Sequence, residues 1–389
     1  MESVNRFLKP PKRSFFLFGP RGTGKSTWLR QQYPDALWID LLDPGTFRQL
    51  KGKPESLRNT LLEHPGKKIV VIDEVQKIPE ILDIVHLLIE EKKSIQFVMT
   101  GSSARKLKRA GVNLLAGRAL LKTLHPFMAA ELKESFRLKE ALNIGTLPLI
   151  VKGEEPEKIL NAYGGLYLRE EVMTEGLVRN IPDFSRFLES ISFSHASLLN
   201  ISNVARECQV HQKTAEGYVR ILEDLLLSFQ IPLFRKRAKR RLSSHPKWYY
   251  FDPGVFRSLR PKGPFDRTEE IEGAALEGLV AEHLRSYLAY RDLDDQLFFW
   301  RTEHGLEVDF VVYGEQGIFA LEVKNTTKIR PDDLTSLQHF QEDYSESSAV
   351  FLYRGKETLK KGRIWCMPCE EFLRKLRPDR TLKNVVPYF

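Results

Sequence analysis

The chain has 389 residues, a formal net charge of +9, 42% hydrophobic and 29% charged side chains, and three cysteines. That length exceeds the ~250–300 residues one hydrophobic core supports, and the composition excludes a disordered chain, so two to four folded domains are expected. No apolar run approaches the ~18 residues that cross a bilayer, and residues 14–18 are too short for a secretion-signal core, so the expected setting is cytoplasmic with no membrane partner.

The positive balance favours an anionic partner, nucleic acid before any other. Cys366 and Cys369 form one Cys-x-x-Cys. No second Cys or His pair stands near enough in sequence to complete four-coordinate zinc, so buried thiols are expected there.

Residues 14–18 read as a short buried strand. Gly19-Pro20-Arg21-Gly22-Thr23-Gly24-Lys25-Ser26-Thr27 follows at once, with a helix beyond. Strand, glycine-rich loop, helix is the order a phosphate-binding loop needs. Backbone N–H groups turn onto the phosphates, Lys25 reaches the β and γ phosphates, and the Ser26 hydroxyl is placed to ligate Mg²⁺. All nine residues are expected at ATP.

Residues 68–74 form a second buried strand that ends in two carboxylates. Asp73 is expected in the Mg²⁺ shell and Glu74 as the base that takes a proton from the attacking water. A third strand, 95–103, ends in Thr100, Ser102 and Ser103, hydroxyls that could sense the γ-phosphate or the water. Arg118 is the candidate arginine finger, because a lone guanidinium in an apolar stretch should seek an anion; a structural ion pair satisfies it equally.

From Phe136 to His195 the sequence is helical and amphipathic, broken at Pro148, Gly164-Gly165 and Pro182, and suits a lid. A short helix over 203–208, a turn at 209–212 and a longer helix from Lys213 outline a helix-turn-helix. Ala215, Tyr218, Val219, Leu222, Leu225 and Leu226 keep helical spacing. Beyond it, 231–234 and 247–252 read as strands around Arg235, Lys236, Arg237, Lys239, Arg240 and Arg241, six basic residues in seven. This is a winged-helix pattern. The wing would lie along phosphates while Lys213, Thr214 and Arg220 approach a groove.

In the last third, residues 314–317 read as a hairpin turn that sets Tyr313 opposite Ile318. Asp309 then faces Glu322, and Glu307 faces Lys324, all on one face because side chains alternate. Leu306, Val308, Phe310, Val312, Phe319, Leu321 and Val323 take the other. Opposed carboxylates repel unless a cation sits between them, and a divalent ion is one answer; a charged sheet face with a Glu307–Lys324 pair is another. On the upstream helix, Glu277 falls at the edge of the buried face and Glu282 on the far side, so Glu277 is the better third ligand.

Helix acid, strand Asp, then Glu-x-Lys resembles the PD-(D/E)XK pattern of restriction-endonuclease-like and Holliday-junction-resolvase-like nucleases. The resemblance places Glu277, Asp309 and Glu322 at Mg²⁺ or Mn²⁺, and Lys324 at the attacking water. The chain from Ser14 to Leu376 also resembles a bacterial and archaeal AAA-type ATPase family that joins a P-loop domain, a winged helix and a domain of this nuclease-like fold. The residues that carry it are 114–127, 248–256 and 276–284, with one departure at Gly145-Thr146-Leu147-Pro148, where that family has Gly-Gly-x-Pro.

The expected fold is α/β multidomain: a P-loop ATPase domain (1–135), a helical lid (136–195), a winged helix-turn-helix (196–262) and a restriction-endonuclease-like α/β domain (263–389). The expected function is ATP-driven processing of nucleic acid, DNA foremost and branched forms included, with room for nuclease activity and for a homo-oligomer. A nucleotide-operated regulatory switch and a DNA-remodelling ATPase that does not cut are the contrasting readings.

Overall fold

Five short runs rich in Phe, Leu, Ile and Val build the first sheet: β1 (Phe15–Phe18), β2 (Leu37–Asp40), β3 (Ile69–Asp73), β4 (Gln96–Gly101) and β5 (Leu120–Thr123). All pair in parallel, in the order β2-β3-β4-β1-β5. Parallel strands covered on both faces need continuous apolar runs rather than alternation, and β1 and most of β3 and β4 are buried throughout. One side of the core joins Phe16, Phe18, Val70, Ile72, Phe97 and Met99 to Leu82 and Val85 of the helix Ile81–Glu90. Parallel order also brings the carboxyl ends of β1, β3 and β4 to one edge, where ligands of open α/β sheets bind.

The structure is a computed structural model that describes residues 4–91, 94–102, 117–174, 178, 180–235, 245–264, 266–291 and 293–386. It divides into two compact units, Leu8–His125 with Glu223–Leu227, and Met1–Phe7 with Pro126–Leu222 and Ser228–Phe389. The segments expected as lid, winged helix and C-terminal domain therefore share one unit, apart from residues 223–227.

That second unit holds two sheets. β6 (Ser197–Leu198), β7 (Ser228–Ile231) and β8 (Lys247–Tyr250) pair in the order β6-β8-β7. β9 (Gln296–Arg301), β10 (Glu307–Gly314), β11 (Gly317–Val323), β12 (Ser348–Tyr353), β13 (Leu359–Lys361) and β14 (Ile364–Pro368) form a mixed sheet in the order β13-β14-β12-β11-β10-β9. The helices Ile201–Glu207 and Gln212–Asp224 precede β7. The strand expected over 231–234 is displaced towards the N-terminus, overlapping β7 at Ile231 alone. β7 ends at Ile231, and Phe234 leaves it to donate its N–H to Phe299 O at 2.7 Å and enter the core of the mixed sheet.

The helix Thr268–Tyr290 is buried almost all round, as an element at the centre of a large core must be. Glu282, expected on its far side, is 2% exposed, and its Oε1 accepts from Ser286 Oγ at 2.8 Å. Next to it His283 accepts the Ala129 N–H on Nε2 at 2.8 Å and sets Nδ1 2.9 Å from Leu279 O and 2.8 Å from Glu282 Oε2.

Asp252, fully buried, anchors the turn that departs from the family pattern. It accepts N–H bonds from Thr146 and Gly254 at 2.8 Å and from Val255 at 3.1 Å. Burial pushes its carboxyl up to about 7, against the pull of those N–H groups. Gly145 has φ +78° and a Cβ there would fall 1.9 Å from Asp252 Oδ1, so glycine is needed at 145. The following position contributes its N–H, which Thr146 supplies.

β10 and β11 pair Tyr313 with Ile318 and Phe310 with Leu321, the register the turn implied. Against β9, however, β10 slips between Val308 and Val311, and both of those valines enter the same core cluster. The continuous alternation expected through Val308, Phe310 and Val312 is thus interrupted beside Asp309. A bulge of this kind re-aims a side chain.

Candidate nucleotide site and acid cluster

The helix Lys25–Gln32 starts from Gly24, whose φ of 83° is left-handed. Nothing lies within 4 Å of a Cβ built there, so the demand for glycine is one of conformation. Lys25 Nζ donates to Gly19 O at 2.8 Å and Pro20 O at 3.3 Å, and Thr23 Oγ1 donates to Pro20 O at 2.8 Å. The loop carbonyls thus hold the buried ammonium at the loop. Arg21 and Thr27 are exposed at its rim.

The ends of β3 and β4 and the start of the helix Lys25–Gln32 meet at Asp73. Its Oδ2 accepts from Ser26 Oγ at 2.8 Å and its Oδ1 from Thr100 Oγ1. Thr100 Oγ1 in turn accepts the Glu74 N–H at 3.2 Å. Glu74 itself sits at φ 59°, and Gln76 Nε2 donates to its Oε2 at 2.6 Å and to Ser102 Oγ at 3.4 Å. Ser26 and Asp73, the hydroxyl and carboxylate that would share an Mg²⁺ shell, already touch, so the donor set fits that ion. Gln76 gave no signal in the sequence beyond following the acid pair.

Arg118 forms an exposed ion pair with Glu90 at the end of the helix Ile81–Glu90. It precedes β5, whose Leu120 pairs with Phe15 at the start of β1, whereas the loop follows Phe18 at the other end. Of the two roles open to it, the ion pair is the one this chain forms within itself. Ser103 lies outside the described residues.

The acids of the last third gather around a residue the sequence reading passed over. Lys247, 1% exposed at the start of β8, places Nζ 2.5 Å from Glu307 Oε1, 2.8 Å from Glu277 Oε1 and 2.9 Å from Asp309 Oδ1. Tyr249 OH donates to Glu277 Oε1 at 2.7 Å, Arg301 Nη1 to Glu307 Oε2 at 2.6 Å, and the Val323 N–H to Asp309 Oδ2 at 2.8 Å.

Burial would lower the Lys247 ammonium, but Asp309, Glu277 and Glu307 reverse it and hold its pKa well above the usual value. Burial, then Asp309, lifts Glu277 to about 7 and Glu322 well above the carboxylate range, while for Glu307 Lys247 and Arg301 overcome burial and lower it.

The divalent-ion site was expected at Glu277, Asp309 and Glu322. A lysine ammonium stands among two of those acids, and no cluster of three or more His, Cys, Asp or Glu among the described residues is arranged to hold a metal. Glu322 stays outside that contact, with Oε2 buried and without a hydrogen-bond partner. Lys324 Nζ is 3.9 Å from Glu322 Oε1 with its side chain half exposed. The expected Glu307–Lys324 pair gives way to Glu307 with Arg301, its neighbour across β9. A lysine in an otherwise aromatic strand was the available signal for Lys247.

On the helix Gln212–Asp224, Lys213 and Arg220 are exposed, Thr214 is half-buried, and Ala215, Tyr218, Val219 and Leu222 turn inward. Lys213 and Arg220 are two turns apart and so share a face. Arg235 is exposed; Lys236, Arg237, Lys239, Arg240 and Arg241 lie outside the described residues.

A parallel sheet, a glycine loop opening into a helix and an acid pair at the end of β3 are consistent with a P-loop nucleotide-binding domain. Residues 11–133 match the family model described as AAA domain. Residues 135–266 and 272–372 match two described as domains of unknown function, DUF8612 and DUF4143. The chain is similar to the uncharacterized proteins Mb2031c of Mycobacterium bovis and Rv2008c of Mycobacterium tuberculosis, each 25% identical over 368 residues, 92% of this chain and 80% of theirs. Among solved structures, domain III of the Thermotoga maritima replication initiation protein DnaA aligns at 16% identity and a TM-score of 0.24, covering 44% of this chain and 82% of that one. No helix among the described residues is long and apolar enough to cross a membrane.

Proposed function

We propose that this chain is an ATP-hydrolysing machine that acts on nucleic acid, DNA foremost. One observation carries the catalytic part: Ser26, at the start of the helix after the glycine loop, Asp73 at the end of β3 and Thr100 near the end of β4 form a hydrogen-bonded chain, with Glu74 next in line. ATP phosphates would lie on the backbone N–H groups from Gly19 to Thr27, and Lys25 would exchange the Gly19 and Pro20 carbonyls for phosphate oxygens. Ser26 and Asp73 would hold Mg²⁺, which spreads the charge of the leaving phosphates. Glu74 would accept a proton from the attacking water, with Gln76 fixing the carboxylate and Thr100 fixing the backbone beneath it.

For nucleic acid, the support is the +9 charge, the exposed Lys213 and Arg220 on one helix face and the six basic residues from Arg235 to Arg241, in the order a winged helix would have. Cleavage is not part of the proposal. Two of the carboxylates it would use for Mg²⁺ or Mn²⁺ hold Lys247, so the C-terminal domain would grip rather than cut.

The test is ATP turnover by the wild type and Lys25→Ala with and without duplex DNA. The reading requires turnover that Lys25→Ala abolishes and DNA stimulates, with DNA binding that weakens steeply with salt. Turnover indifferent to nucleic acid would leave a nucleotide-operated switch in its place.

A further inference from the structure

A lysine ammonium carries three N–H donors and no acceptor. Around Lys247 Nζ stand three carboxylate oxygens, Glu307 Oε1, Glu277 Oε1 and Asp309 Oδ1, at 2.5, 2.8 and 2.9 Å, so the number of acceptors equals the number of hydrogens. The second oxygens of two of these acids have other donors, Arg301 Nη1 at 2.6 Å on Glu307 and the Val323 N–H at 2.8 Å on Asp309. The Phe299 ring, 5.9 Å from Nζ, adds an aromatic face of the kind that favours organic cations.

A divalent ion asks for something else: six or more oxygens at roughly 2.0–2.6 Å, some of them waters. The feature that would favour it is Glu322 Oε2, buried without a partner, yet Glu322 is not among the acids that touch Nζ.

We propose that this pocket is a receptor for one primary alkylammonium, filled by the chain's own Lys247, and that it fastens β8 to the helix Thr268–Tyr290 and to β10 in place of a metal centre. Glu277 comes from that helix and Glu307 and Asp309 from β10, while the cation comes from a strand of the three-stranded sheet. One buried ammonium therefore ties two sheets and a helix together. Removing it leaves three acids facing one another, the situation in which breaking a buried pair is far more damaging than never having made it. This inference does not rest on ATP hydrolysis.

The experiment has two arms on the full chain without nucleotide. In the first, Mn²⁺ is titrated into the wild type and Asp309→Asn and followed by electron paramagnetic resonance. The proposal expects no bound Mn²⁺ that distinguishes the two proteins, and a wild-type Mn²⁺ site lost in Asp309→Asn overturns it.

In the second, Lys247→Ala is melted in propylammonium, tetramethylammonium or Mn²⁺ salts. The substitution should lower Tm by roughly 10 °C. Propylammonium should restore most of that and tetramethylammonium, which has no N–H, none. Rescue by Mn²⁺ and not by propylammonium overturns the proposal. Should Lys247→Ala fail to fold, it is refolded from urea in propylammonium or tetramethylammonium salts: recovery of folded protein in propylammonium alone is expected, and recovery in both or in neither overturns the proposal.

Discussion

Asp252 offers a prediction whose size follows from its surroundings. The side chain is fully buried, accepts three backbone N–H groups, and titrates at about 7 instead of the usual 3.8. A folded pKa above the unfolded one means that the folded chain binds a proton the unfolded chain has released. The stability this group contributes is therefore fully present below the unfolded value and is lost as pH rises towards about 7. At ~1.4 kcal/mol per unit, the loss between pH 5 and pH 8 is about 2–3 kcal/mol.

Asp252→Asn cannot titrate. Its Oδ1 can still accept from Gly254 and Val255, but an amide N–H₂ would face the Thr146 N–H, a lost bond worth about 1–3 kcal/mol. Urea unfolding followed by tryptophan fluorescence, with Trp248 in the adjoining strand as reporter, should show the variant clearly weaker at pH 5 and nearly equal to or firmer than the wild type at pH 8. Glu277 and the other acids are common to both proteins and cancel in the difference. A gap between variant and wild type that is the same at both pH values would refute the reasoning.

Gly278→Ala should destabilise the second unit by about 1–3 kcal/mol, because the new Cβ would sit 2.3 Å from His195 Nε2 and that ring is stacked on Phe256 at 4.0 Å; an unchanged Tm would show that the ring has room to move. Burial holds His195 down to about 3, so the same variant should gain no pH dependence above pH 5, which melts at several pH values check. Neutralising Arg235, Lys236, Arg237, Lys239, Arg240 and Arg241 together should weaken DNA binding and flatten the slope of log affinity against log salt by ~0.9 for each phosphate no longer neutralised, with basal ATP turnover intact. Affinity unchanged at moderate salt would make that segment a bystander.

The loop and acid pair of the candidate nucleotide site were legible because their signals are local and contiguous: a glycine loop between β1 and a helix, and two acids at the end of β3. The hairpin register was legible for the same reason, since one turn fixes every pair up to Phe310–Leu321. What the sequence did not disclose depends on long-range burial. Lys247 is 30 residues from Glu277 and 62 from Asp309, and only the packed unit shows that it supplies the cation their repulsion demanded. Glu282 followed the helical-wheel rule for an amphipathic helix, which fails for a helix enclosed on all sides. The slip at Val308–Val311 has no turn residue to announce it.

The most direct measurement is phosphate release from Mg–ATP by the wild type and by Glu74→Gln, alongside nucleotide retained on each protein after gel filtration. The account predicts wild-type turnover, a fall of ~10²–10⁴-fold in the variant, and ATP recovered intact on Glu74→Gln. Equal turnover in both proteins would remove Glu74 as the base, and no turnover by the wild type with or without DNA would contradict the ATP-driven reading itself.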